Sequence, residues 1–122
     1  MTTPDRRWPR TVYAAGTDPD PRFSLANERT FLAWVRTSLA LLAGAAAVHV
    51  VDLGVHDAVA ATASVLLALS ALGCVVGAWS GWARTERAMR TSAPLPSNVA
   101  GAVLVVAVAL AAVAMVVIGA SG

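Results

Sequence analysis

Three apolar runs, at about residues 31–51, 58–83 and 99–120, constrain this chain more than any other feature. Each is close to the ~20 residues that carry an α-helix across a bilayer. An isolated strand in lipid leaves its backbone groups unsatisfied, so helix is the state these runs must adopt. Together they account for a chain that is 57% hydrophobic and only 13% charged, too apolar for the surface of a soluble domain of 122 residues. The sequence predicts an all-α membrane protein with three transmembrane helices. A short N-terminal interfacial helix is expected to enter the first span. No room remains beside the spans for a soluble catalytic domain.

All nine basic residues are arginines. Arg6, Arg7, Arg10, Arg22, Arg29 and Arg36 precede or open the first span, and Arg84, Arg87 and Arg90 follow the second. The link between spans one and two, around Asp52 to Asp57, has none, and neither does the tail Ser121–Gly122. The positive-inside rule then places the N-terminus and the loop after span two in the cytoplasm, and the C-terminus outside. The first ~30 residues lack the apolar core of a cleavable signal peptide. The expected location is the plasma (inner) membrane, multi-pass.

Residues 1–23 hold four of the six prolines and read as a flexible cytoplasmic tail in which helix is not expected. Trp8, Tyr13 and Phe23 suit the headgroup level. The three-span domain is expected over 24–122, with Ser24 as N-cap and helix from Leu25. In the second span Gly73, Gly77 and Gly81 recur every four residues, a spacing that lets helices approach closely in lipid, and they read as a packing seam, within one chain or between chains. Trp79 and Trp82 mark the interface. Helix is expected to continue through RTERAMR and stop before Pro94 and Pro96, with Ser97 or Asn98 capping span three. Cys74 is the single cysteine and reads as a small packed residue.

Arg29 and Arg36 are seven residues apart, only ~20° apart around a helix. Ala40, Ala43 and Ala47 extend that face, while Phe31, Trp34, Leu41 and Val48 lie opposite. Two readings stay open. The arginines snorkel to the headgroups, with Glu28 pairing to one of them. Alternatively, the face lines a polar cavity, because an arginine at a span centre costs on the order of 3 kcal/mol unless it meets water or a bundle interior. Repeated around an axis, such arginines form rings that attract anions, with Arg84, Arg87 and Arg90 adding to a basic mouth.

The stretch DPRFSLANERTFLAWVRTSLALLAG, residues 20–44, resembles the signature of the YidH-type membrane family, domain of unknown function 202. RTERAMR resembles the basic end of that family's second span. The family's domain is similar in turn to the small membrane subunit of the vacuolar transporter chaperone, where five copies surround a basic pore that takes polyphosphate. The resemblance implies an entry motif at Asn27, Glu28 and Thr30, and anion-binding or pore-lining roles for Arg29 and Arg36. It also favours a homo-oligomer, a pentamer by preference, with phosphate or polyphosphate as bound species and membrane lipids as neighbours.

His49 and Asp52 sit three apart at the outer end of span one, and His56 and Asp57 follow in the turn. One chain offers no set of four metal ligands there, and a solvated rim that titrates near neutral pH is the better reading. There is no nucleophile–base pair, phosphate loop or Cys/His cluster, so no enzymatic activity and no cofactor are expected. A net charge of +2 is explained by topology and argues against nucleic-acid binding. Two functions are carried forward: an oligomeric conduit or anion-binding pore, and a non-conducting accessory subunit of another membrane complex.

Overall fold

The computed structural model describes residues 3–121, so half of the two-residue tail, Gly122, lies outside the described residues. The described chain is helical, in the order α1 (Arg10–Tyr13), α2 (Pro21–Val50), α3 (Asp57–Arg90) and α4 (Val99–Ser121). The last three are long and apolar enough to cross a membrane. At 1.5 Å per residue α2 and α3 are about 45 and 51 Å long, so both outrun a hydrocarbon core of ~30 Å. The entry segment and the first span form one continuous helix.

That helix begins four residues earlier than Ser24 would have it. Asp20 is the N-cap, its carboxylate accepting the Arg22 N–H at 2.9 Å, and Pro21 takes the first helical position. Proline is favoured there because its missing N–H would be unpaired anyway. Ser24 is freed from capping and turns to α3 instead. The N-terminal stretch also departs from the expectation. Residues 10–13 form α1, and Val12 is 2% exposed against the rest of the chain.

The core is the antiparallel pair α2 and α3. Ser24, Asn27, Phe31, Trp34, Ser38, Leu41, Ala45 and Val48 alternate steps of three and four, and all are buried or half-buried. This is the spacing of a left-handed two-helix seam. On α3 the matching row is Ser64, Ala71 and Ala78, seven apart and all buried. Small residues suit the seam because lipid offers helices no hydrophobic drive to associate, so close backbone packing must hold them. At the far end Ser64 Oγ donates to the Ala45 carbonyl at 2.9 Å and lies 2.9 Å from His49 Nε2. A hydroxyl has one proton, so the His49 Nε2–H donates to Ser64. His56 caps α3, its Nδ1 accepting the Ala58 N–H at 3.3 Å. Between them Gly54 turns the chain at φ +64°, its N–H donating to the Asp52 carboxylate at 3.0 Å.

The glycine stripe is not this seam. A Cβ built on Gly73 or Gly81 meets nothing within 4 Å, and on Gly77 only the Ala100 Cβ at 3.9 Å. These residues face the side where α4 lies. α4 itself has no buried residue among its described side chains. It is apolar all round, as a lipid-facing or partner-facing helix is.

Candidate anion-binding face and its surroundings

The two faces of α2 differ as the wheel predicts. Phe31, Trp34, Leu41 and Val48 turn to α3, while Arg29, Arg36, Ala40, Ala43 and Ala47 are exposed on the opposite side. Among the described residues Arg29 and Arg36 have no hydrogen-bond or ion-pair partner. Glu28 is exposed and pairs with neither.

The other arginines are used differently. Arg84 is exposed, and its Nε donates to its own helix at the Ser80 carbonyl, 3.4 Å away. It lines a cleft of about 330 Å³ between the ends of α2, α3 and α4. Arg87, expected at a basic mouth, instead donates from Nη1 to the Thr11 carbonyl at 2.7 Å. Its role in the structure is to hold the N-terminal segment.

Arg90, expected with Arg84 and Arg87 at a basic mouth, is instead the most deeply engaged of all. Its side chain is 4% exposed. Nε donates to the Ala15 carbonyl at 2.8 Å, Nη2 to the Tyr13 carbonyl at 2.9 Å and Nη1 to the Asp18 carboxylate at 2.6 Å. The planar fork of a guanidinium fits such a set of acceptors. The Thr17 N–H closes the loop on the Arg90 carbonyl at 3.0 Å. Gly16 makes this approach feasible. Its φ is +52°, and a Cβ there would overlap the Arg90 carbonyl.

Arg7 adds to the same knot, bonding Asp5 at 2.8 Å and Asp18 at 2.9 Å, with its guanidinium 4.7 Å from the Tyr13 ring centroid. Hydrogen bonds from Arg90 first and Arg7 second hold the Asp18 carboxyl below the usual carboxylate range. Burial, and then the Glu86 carboxylate, push the Tyr13 hydroxyl up.

Glu86 is 3% exposed and is satisfied by neutral donors. Ser24 Oγ donates to it at 2.8 Å and Asn27 Nδ2 at 3.3 Å, while the same Nδ2 donates to the Trp82 carbonyl at 3.1 Å. The entry motif is therefore divided. Asn27 ties α2 to α3, Thr30 bonds its own Ala26 carbonyl at 3.2 Å and lines the cleft, and Glu28 and Arg29 face outward. The available signal for Glu86 was register: Ser24 and Asn27 fall on the seam row, so an acceptor opposite them was required.

Beside this cluster Trp8, Trp79, Trp82, Tyr13 and Phe31 gather with ring centroids 5.2–6.5 Å apart, Phe31 meeting Trp79 edge to face and the other pairs tilted. Such a belt anchors a helix pair at the bilayer surface. No group of three or more His, Cys, Asp or Glu that could hold a metal occurs among the described residues.

Comparison with known proteins agrees with this architecture. The chain is 39% identical over 111 residues to inner membrane protein YidH of Escherichia coli K12, covering 88% of this chain and 93% of that one. The YidH of Shigella flexneri matches to the same extent. Protein Rv2272 of Mycobacterium tuberculosis H37Rv is 43% identical over 88 residues, 70% of each chain. No solved structure matches. The family described as domain of unknown function DUF202 matches residues 22–88, which run from the first turn of α2 to the end of α3, and the chain belongs to that family.

Proposed function

We propose that the chain is the subunit of a homo-oligomeric inner-membrane assembly that binds or conducts anions through the arginine face of α2, with no reaction of its own. The observation that carries the reading is the exposed row Arg29, Arg36, Ala40, Ala43 and Ala47, whose two charges have no partner among the described residues. Along the helix Arg36 lies about 10 Å deeper than Arg29. A guanidinium at that depth is costly in lipid and stable on a water-filled axis. The alanines let copies approach there. The inner-membrane setting is supported by the YidH relatives, which are inner membrane proteins. A non-conducting accessory subunit is the second reading. It is favoured by α4, whose apolar surface is free to pack on another membrane protein.

Reconstituted vesicles separate the two. Arg36→Ala should lower phosphate binding and anion flux about tenfold, as the loss of one charge-assisted contact predicts. Arg36→Glu should abolish both or turn selectivity toward cations. Wild-type vesicles with neither flux nor salt-sensitive phosphate binding would leave the accessory reading.

The arginine distribution also supports an orientation with the α1 end in the cytoplasm. In a Cys74→Ala background, Ala93→Cys should label only from the cytoplasmic side and Val55→Cys only from the outside. The reverse pattern would refute the orientation.

A further inference from the structure

The glycine stripe of α3 ends in a charge. Gly73, Gly77, Gly81 and Arg84 follow one another at steps of four, four and three, so they share one side of the helix. α4 stands off from that side, since Gly73 and Gly81 have no atom within 4 Å of a built Cβ and Gly77 meets only the Ala100 Cβ at 3.9 Å. Two clefts run along it. The first, of about 330 Å³, is polar at its outer end, where Arg84, Thr30, Thr85 and Asn98 line it. The second, of about 280 Å³, is apolar and is lined by Gly73, Cys74, Leu104 and Ala107. They share Trp34, Gly77 and Ala100 and so form one groove between α3 and α4. Arg29 borders a third cleft that shares Thr30 and Trp34 with the first, so a second cation stands near the same mouth.

We propose that this groove is a binding site for one anionic phospholipid, with its phosphate at Arg84 and an acyl chain along Gly77 and Gly73. The polarity of the groove changes in the same order and direction as a lipid does, from charged at the bilayer surface to apolar below. Arg84 supplies a cation whose own contact, the long bond to Ser80, leaves the rest of its donor fork for a ligand. Trp82 lies at the same level, where amphipathic rings meet headgroups. The glycines give the acyl chain its room, which explains why a small-residue stripe is present on a side of α3 that packs against nothing closely. The combined size is within the range of small-molecule sites.

The test is photolabelling of the full chain in phosphatidylcholine vesicles doped with phosphatidylglycerol carrying a photoactivatable acyl chain. Adducts are expected on α3 near residues 70–77 and on α4 near 100–107. Arg84→Ala should reduce them about tenfold, the loss of one charge-assisted contact. Gly73→Leu, at a position where a Cβ has open space and the longer side chain enters the groove, should reduce them comparably while the helix content is kept. Equal labelling by a phosphatidylcholine probe would overturn the site. So would unchanged adducts in both variants, displacement of the probe by inorganic phosphate, which would indicate a free-phosphate site, or chain-to-chain adducts in place of lipid adducts.

Discussion

Replacing Gly16 by alanine should release residues 13–18 from the end of α3. The residue sits at φ +52°, where a Cβ costs roughly 1–2 kcal/mol on its own. The decisive obstacle is the Arg90 carbonyl, which is backbone and has no rotamer to yield. The segment must therefore move away. Doing so breaks the Thr17–Arg90 bond and opens the three acceptors around the Arg90 guanidinium. Amide exchange at Thr17 should accelerate about a hundredfold or more, the equivalent of on the order of 3 kcal/mol. Protection in the middle of α2 and α3 should be unchanged, because the seam touches neither residue. Arg90→Ala should reproduce the effect, and Arg90→Lys should restore only part, since an ammonium cannot span the three acceptors as a fork does. The dock should also be sensitive to acid. The Asp18 carboxyl is depressed in the folded chain, so its contribution is fully present above the ordinary carboxylate range and is lost as pH falls through the lowered value. Unchanged Thr17 exchange in Gly16→Ala would show that the segment is not held as described.

Ala78→Leu should be the most damaging single change in the membrane. Ala78 is 2% exposed where α2 and α3 meet. A larger side chain forces the helices apart, and overpacking of this kind costs about 1–3 kcal/mol or more. In lipid no gain from removing apolar surface from water offsets it. The glycine five residues earlier makes the contrast: a Cβ at Gly73 meets nothing within 4 Å, and Gly73→Leu exchanges a poor helix former for a good one. Reversible unfolding in mixed detergent should show Ala78→Leu destabilised and Gly73→Leu equal to or above wild type. The opposite ranking would return the seam to the glycine stripe.

These two substitutions also mark what the sequence disclosed. The three spans were legible because length and hydropathy alone dictate helices in a bilayer. The outward Arg29–Arg36 row was legible because helical periodicity fixes which residues share a face. The glycine stripe lies off the α2–α3 seam, because small residues permit close approach without requiring it inside the same chain. The seam was written in a different pattern, the three-four alternation from Ser24 to Val48, in which polar Ser24, Asn27 and Ser38 interrupt the apolar signal. The N-terminal segment was read as a tail because its prolines and charges suggest one locally. What docks it is a set of partners some 70 or more residues away, Arg87 and Arg90, and nothing in the local composition reports them. Asp20 was overlooked as a cap for a simpler reason: proline next to it suggested a break, while at the first helical position it is a start.

The central claim is that the arginine row of α2 faces a shared interior rather than lipid. A nitroxide label at Ala40→Cys, in a Cys74→Ala background in native-like membranes, tests it directly. The account predicts strong dipolar coupling between copies and low accessibility to oxygen dissolved in the lipid. An isolated label with no coupling and the high oxygen accessibility of a lipid-facing site would contradict it.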